Sequence, residues 1–260
     1  MDKQMLAIQN LSIRIPDENS GRLLLDHVGF DIQKEEIFSL VGGSGSGKTT
    51  IGLAVLRLLS EALKMESGVI KFEGQDLLGF SKERMRALRG KEIGMVFQEP
   101  LHAFNPLFRV GAQIDEVLRF HTALSRKDRQ ERVIDLLRQV GIPDALRVEC
   151  LYPHQLSGGM RQRAMIAQAI AASPKLLIAD EPTSNLDVTL QAKIMDLFRK
   201  LKSELKISIL LITHDLGLVK HLADKIAVLY EGKIVESGKI QEVMEHPKND
   251  FTKLLLRTIT

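Results

Sequence analysis

Gly42-Gly43-Ser44-Gly45-Ser46-Gly47-Lys48-Thr49 has the spacing GxxxxGK[ST]. Glycines allow positive φ and close approach to a phosphate, and the loop amides then point inward as an anion nest. IFSLV (37–41) enters this turn as an apolar strand, and a helical pattern from Thr49 to Ser60 follows it. That helix adds the positive end of its dipole. Lys48 reaches toward β- and γ-phosphates, and Thr49 offers a hydroxyl to Mg²⁺. The competing reading is a flexible Gly/Ser turn; the flanking strand and helix argue against it.

Leu176-Leu177-Ile178-Ala179-Asp180-Glu181 delivers two carboxylates at a strand's C-terminal end, where α/β sheets bind ligands. Asp180 is placed to hold Mg²⁺, directly or through water. Glu181 is placed to polarise an attacking water. Alone, the pair could equally cap the next helix. Leu156-Ser157-Gly158-Gly159-Met160 reads as a second anion-binding helix start, with Ser157 as N-cap; alone, it is a plain cap. Gln98 follows the strand IGMVF (93–97), and His214 follows ISILLIT (207–213). Asp187 suits a helix cap, and a lone His such as His214 is more often structural. The other six histidines form no metal-ligand spacing.

Residues 6–15 and 28–32 alternate apolar and polar residues and read as half-buried strands around a turn at Pro16 to Gly21. A further strand is expected around Val69 to Phe72. Residues 111–140 carry helical periodicity, and 99–155 reads as a helical lobe inserted in a sheet domain. A helix is expected from Ser157 to about Ala172. LLIAD and ISILLIT have the continuous apolar character of strands buried on both faces. Residues 226–236 read as a hairpin turning at Glu231-Gly232, and 238–260 as a helical tail.

The 260 residues fit one large domain or one domain with an inserted lobe. Lys and Arg number 36 against 33 Asp and Glu, a near balance that does not point to nucleic acid. Aromatics are 5% with no Trp, which argues against a base-stacking surface. One cysteine, Cys150, excludes an internal disulfide and suits a reducing compartment. There is no secretory signal pattern and no apolar run long enough to span a membrane. A soluble chain is expected, held at a membrane only by another protein.

Taken in order, the P-loop, Gln98, LSGGM, LLIADEP, SNLD and His214 resemble the nucleotide-binding subunits of ABC transporters, over about residues 6–245. YPHQLSGGMRQR (152–163), ADEPTSNLDVTLQAKIMDLF (179–198), ITHDLGLV (212–219) and FQEPLHAFNPL (97–107) narrow it to the dipeptide, oligopeptide and nickel importer subfamily. The resemblance implies a P-loop NTPase (RecA-like) α/β core with an N-terminal antiparallel β-subdomain and an inserted α-helical subdomain. The core would take about 1–98 and 156–245, the helical subdomain 99–155 and the tail 246–260. It implies a head-to-tail dimer holding two ATP molecules with Mg²⁺. Gly42 to Thr49 and Thr50 would bind ATP. Thr49, Asp180 and Gln98 would serve the metal, and Gln98 would sense the γ-phosphate. Glu181 would be the base and His214 would hold the γ-phosphate. Ser157, Gly158 and Gly159 would contact the nucleotide held by the partner cassette, and Asp187 would lie at the dimer contact.

The implied partners are a second cassette, usually a different chain, integral-membrane permeases and an extracytoplasmic substrate-binding protein. The implied location is the cytoplasmic face of the membrane, and a soluble ABC protein acting on DNA or ribosomes is the alternative. Three departures stand out. No adenine-stacking aromatic occurs near Arg22-Leu23, where Arg22 is a substitute. Glu35-Glu36 replaces the usual Gly-Glu. The Cys-containing C-terminal extension of longer peptide-importer members is missing, so no iron–sulfur cluster is expected; the short form tilts slightly toward nickel or metallophore cargo over peptides.

Overall fold

The computed structural model describes residues 3–16, 21–184 and 186–257. Part of the turn expected at Pro16 to Gly21, Asn185 of the SNLD string, and the end of the helical tail lie outside them. In chain order the elements begin β1 (Gln4–Ile15), β2 (Arg22–Gln33), β3 (Ile37–Gly42), α1 (Lys48–Val55), β4 (Lys64–Phe72), β5 (Gln75–Asp76), α2 (Lys82–Leu88) and β6 (Ile93–Val96). Next come α3 (Pro100–Ala103), α4 (Val110–His121), α5 (Arg126–Gln139), α6 (Ala145–Val148), α7 (Gly158–Ala169), β7 (Leu176–Asp180) and α8 (Val188–Leu205). The chain closes with β8 (Ser208–Thr213), α9 (Leu216–Val219), β9 (Lys225–Tyr230), β10 (Lys233–Lys239), α10 (Ile240–Glu245) and α11 (Asp250–Arg257). Two compact units result, Met1–Arg86 with Lys202–Thr260, and Ala87–Leu201.

In the first unit, β1 pairs antiparallel with β2 and β4, and β5 extends β4. Met5 to Ile8 and Leu11 to Ile13 are buried on both faces, and only Gln9 and Asn10 between them are exposed. A bulge lies at that break: the register shifts between Ile8 and Leu11, where Asn10 takes φ 50°. β2 starts at Arg22, well before the expected 28, because the run Leu23-Leu24-Leu25 hides its alternation.

Elsewhere in this unit β3 is buried along its length and runs parallel to both β8 and β9, with β10 antiparallel on β9. The expected hairpin turns at Glu231 (φ 45°) and Gly232 (φ 76°), the two left-handed positions of a two-residue turn. The Asp26 amide donates to the Gly232 oxygen at 2.9 Å, tying the hairpin tip to β2. Phe30 and Phe38 stack with centroids 4.8 Å apart.

The Glu35-Glu36 pair closes the β2–β3 turn. Glu35 has φ 58° and donates its amide to Ser208 Oγ at 3.0 Å. Glu36 is buried, accepts the Gln33 amide at 2.6 Å and meets Lys225 Nζ at 3.3 Å. Glu36 thus does what the Glu of the usual Gly-Glu would do, while Glu35 occupies a left-handed position that favours glycine, and nothing in the structure explains its side chain.

In the second unit β6 and β7 are parallel, with Val96 opposite Ala179. Val110, Ile114 and Leu118 of α4 bury one face at helical spacing, and Val133, Leu136 and Leu137 of α5 do the same. Arg129 Nε holds Asp115 at 2.7 Å across the two helices. The expected helical span 111–140 is broken after His121. Thr122 returns its hydroxyl to the Leu118 oxygen, and Ser125 caps α5 by accepting the Asp128 amide. The tail likewise is two short helices, α10 and α11, separated around Pro247.

Candidate nucleotide site

In the first unit β3 runs directly into the glycine loop. Gly42 is forced by packing, since a Cβ there would sit 2.2 Å from the Leu229 oxygen. Gly47, at φ 100°, N-caps α1, and a Cβ there would strike Leu25 Cδ2 at 2.6 Å. On the other side the loop is open: a Cβ on Gly43 or Gly45 would meet nothing within 4 Å. Lys48 is buried, and its Nζ donates to the Gly42 oxygen at 2.8 Å and the Gly43 oxygen at 2.9 Å. Ser46 Oγ is buried with no hydrogen-bond partner among the described residues. An open cradle of amides, a cation on its rim and an unanswered hydroxyl fit an anion of phosphate type. Ser44 and Thr49 are exposed at this loop, with Thr50 half-buried beside them.

His214 belongs to the same edge. Thr213 pairs with Val41, so His214 leaves β8 level with the start of the loop, and it is exposed. Asp215 beside it accepts the Gly217 and Leu218 amides and caps α9.

In the second unit β7 ends on Asp180, which is 2% exposed, and Glu181, which is 8% exposed with φ 45°. A left-handed backbone at a non-glycine residue costs on the order of 1–3 kcal/mol and persists where the surroundings over-determine it. The Ser184 amide closes the turn on the Glu181 oxygen at 3.1 Å, and the Ser184 hydroxyl donates to the same oxygen at 2.9 Å. Gln98 leaves parallel β6 at the same edge, and its main-chain oxygen lies 3.2 Å from Ser184 Oγ. The structure thus brings Gln98, Asp180 and Glu181 together. Ser184, the first residue of the SNLD string, joins them; the string marked the position without indicating this bond.

Ser157 caps α7 by accepting the Met160 amide at 3.3 Å, leaving Ser157 and Gly158 exposed. Gly159 is buried, and a Cβ on it would approach Leu190 Cδ1 to 3.2 Å. Asp187 caps α8: its carboxylate accepts the Leu190 amide and its main-chain oxygen the Gln191 amide, both at 2.9 Å. At the ends of β1 and β2, Ile15 pairs with Arg22, and Ile15 is 40% exposed.

The pattern of the family described as "ABC transporter" matches residues 25–184. A putative peptide import ATP-binding protein of Brucella abortus is 46% identical over 98% of this chain and 77% of its own length. The dipeptide transport ATP-binding protein DppD of Escherichia coli is 43% identical over 98% of this chain and 78% of its own. The chain belongs to the ABC transporter family. Among solved structures, the dimeric post-hydrolysis state of the ATP-binding cassette MJ0796 bound to ADP and Pi superposes with a TM-score of 0.81 at 28% identity, covering 91% of this chain and 99% of that one. CbiO1 of Clostridium perfringens, part of the complex cbiONQ, gives 0.80 at 28%, covering 94% and 92%. The fold is that of an ABC ATPase, with an antiparallel β-sheet and a parallel strand core, and the chain is an ATP-binding ABC transporter ATPase. No helix among the described residues is long and apolar enough to cross a membrane.

Proposed function

We propose that this ABC ATPase is the energy subunit of an importer for short peptides, and that it hydrolyses ATP in a dimer of cassettes at the inner face of the membrane. The observation that carries this reading is the open loop with Lys48 on its rim, in a chain 43–46% identical along nearly its whole length to proteins named for peptide and dipeptide import. Those names favour peptides over the nickel or metallophore cargo toward which the short sequence tilts. Permease subunits and an extracytoplasmic receptor complete the assembly.

The roles follow from the chemistry of each group. The amides of residues 43–49 and the Lys48 ammonium receive the β- and γ-phosphates, and the ammonium exchanges its loop carbonyls for phosphate oxygens. As the resemblance implies, the Thr49 hydroxyl, the Asp180 carboxylate and Gln98 would each serve a Mg²⁺ bound with the nucleotide, and the ion would neutralise phosphate charge. Glu181 accepts the proton of the attacking water, and His214 donates to the γ-phosphate. Ser157, Gly158 and Gly159 present a capped helix start to the nucleotide of the other cassette, with Asp187 at the contact. ATP thereby favours the closed dimer, and hydrolysis removes that bias.

Glu181→Gln tests the reading. Turnover should fall about 100-fold or more, the scale of a lost general base, while ATP-dependent dimers persist by size-exclusion chromatography. Normal turnover would sink the base assignment. Copurification with a permease pair and a peptide-binding receptor is expected; a nickel-binding receptor would redirect the cargo.

A further inference from the structure

Ser184 Oγ carries a single proton and faces two main-chain oxygens, that of Glu181 at 2.9 Å and that of Gln98 at 3.2 Å. The Glu181 oxygen already receives the Ser184 amide, so the turn 181–184 closes without the hydroxyl. The Gln98 segment leaves β6 exposed and continues through Glu99 to Pro100. A cavity of about 220 Å³, lined in part by Pro100, Gly158, Gln162 and Leu186, adjoins it. Gln162 is 2% exposed, and its side-chain N–H group has no partner among the described residues. The segment thus has room to move and a donor to move toward, with the Ser184 hydroxyl holding it at its present position.

We propose that Ser184 is a positioning residue that ties the Gln98 segment to the backbone of Glu181. It acts through the two main chains it joins. When the hydroxyl favours Gln98, the strand-end acid and the Gln98 segment are held in one register. When the segment shifts, the hydroxyl returns fully to Glu181 and the register is lost. The strained φ of 45° at Glu181 makes the carboxylate's placement sensitive to this choice. The catalytic part of the proposal rests on the reading of Glu181 and Gln98 given above.

The test compares Ser184→Ala, Ser184→Thr and Glu181→Gln in the full chain assembled with its second cassette. Hydrogen exchange without nucleotide reads the tie directly. In Ser184→Ala, amides within 97–104 and within 181–187 should exchange roughly three- to tenfold faster, the loss of about one hydrogen bond, with the rest of the chain unchanged. In the same variant kcat should fall about five- to tenfold with KM for ATP within about twofold, and Ser184→Thr should restore both. Unchanged exchange over 97–104, or unchanged kcat, overturns the proposal. Normal turnover in Glu181→Gln overturns the base assignment itself; normal turnover in Ser184→Ala alone overturns only the bridge.

Discussion

The main-chain oxygen of Leu24 lies 2.4 Å from the place a side-chain carbon on Gly232 would occupy. With φ 76° at Gly232 and the Asp26 amide on its oxygen, the hairpin tip is held against β2 by its backbone, and Lys233 Nζ beside it reaches the Asp26 carboxylate at 3.1 Å. Gly232→Ala should therefore lose about 2 kcal/mol or more, from the left-handed φ together with the clash. For a chain of this size that is a drop of roughly 5 °C in Tm, read by thermal unfolding. An unchanged Tm would mean the tip yields freely.

Ser157 has two separable roles. Ser157→Ala removes the cap on the Met160 amide and should cost about 1 kcal/mol, while Ser157→Asp keeps a capping oxygen and should retain stability. Both should lower ATP hydrolysis by the assembled dimer about tenfold or more, the second by setting a carboxylate against phosphate. ATP binding to the single chain should stay within about twofold in both. Ser157→Asp with normal turnover would place the partner's nucleotide elsewhere.

A third expectation concerns acid. The Glu236 carboxylate accepts the Lys248 amide at 2.8 Å and the Asn249 amide at 3.0 Å, just before α11. Burial acts to raise its pKa. The neighbouring Thr252 hydroxyl, the two amides and the Lys248 charge outweigh burial and hold the carboxyl below the usual glutamate value. A depressed folded pKa means the extra stability is present above the unfolded value, about 4.3, and is lost as pH falls through the folded one. Glu236→Gln should thus loosen α11 by roughly 1 kcal/mol at pH 7, seen as faster limited proteolysis around 246–249. The gap between wild type and variant should narrow only below the unfolded value and close once pH falls beneath the folded one. A gap that persists there would assign the effect to side-chain shape.

The strands that carry the site were legible because each is a short apolar run ending in a functional string, and IFSLV, LLIAD and ISILLIT all appear where expected. Helix ends were less legible, for a specific reason. The pattern after Thr49 continues apolar to Ser60, yet α1 stops at Val55. The stop is made by bonds from the Arg57 amide to the Ala54 oxygen at 3.0 Å and from the Leu58 amide to the Leu53 oxygen at 2.9 Å, with Arg57 at φ 52°. That left-handed position usually holds glycine, so Arg57 gave no sign of it. By contrast α5 ends in the same pair of bonds with Gly141 in that position, and Gln139 lies one residue short of the expected limit of the periodicity at 140. Ser125 with Asp128 is a start signal that helical periodicity masked.

In the site, residue types announced themselves and connections did not. Lys48 and Glu181 carry their chemistry in their side chains, so motif spacing finds them. Ser184 joins two backbone oxygens that lie 83 positions apart, between Gln98 and Glu181, and no local pattern encodes that.

The Lys48 ammonium already donates twice to its own loop. An incoming nucleotide therefore performs an exchange, replacing neutral acceptors with charged ones, and the measured affinity reports the difference. The same two bonds keep the loop folded between turnovers, so little ordering entropy is charged to each arrival. The expected calorimetric signature is a modest enthalpy, with an affinity that weakens as salt screens the phosphate charge.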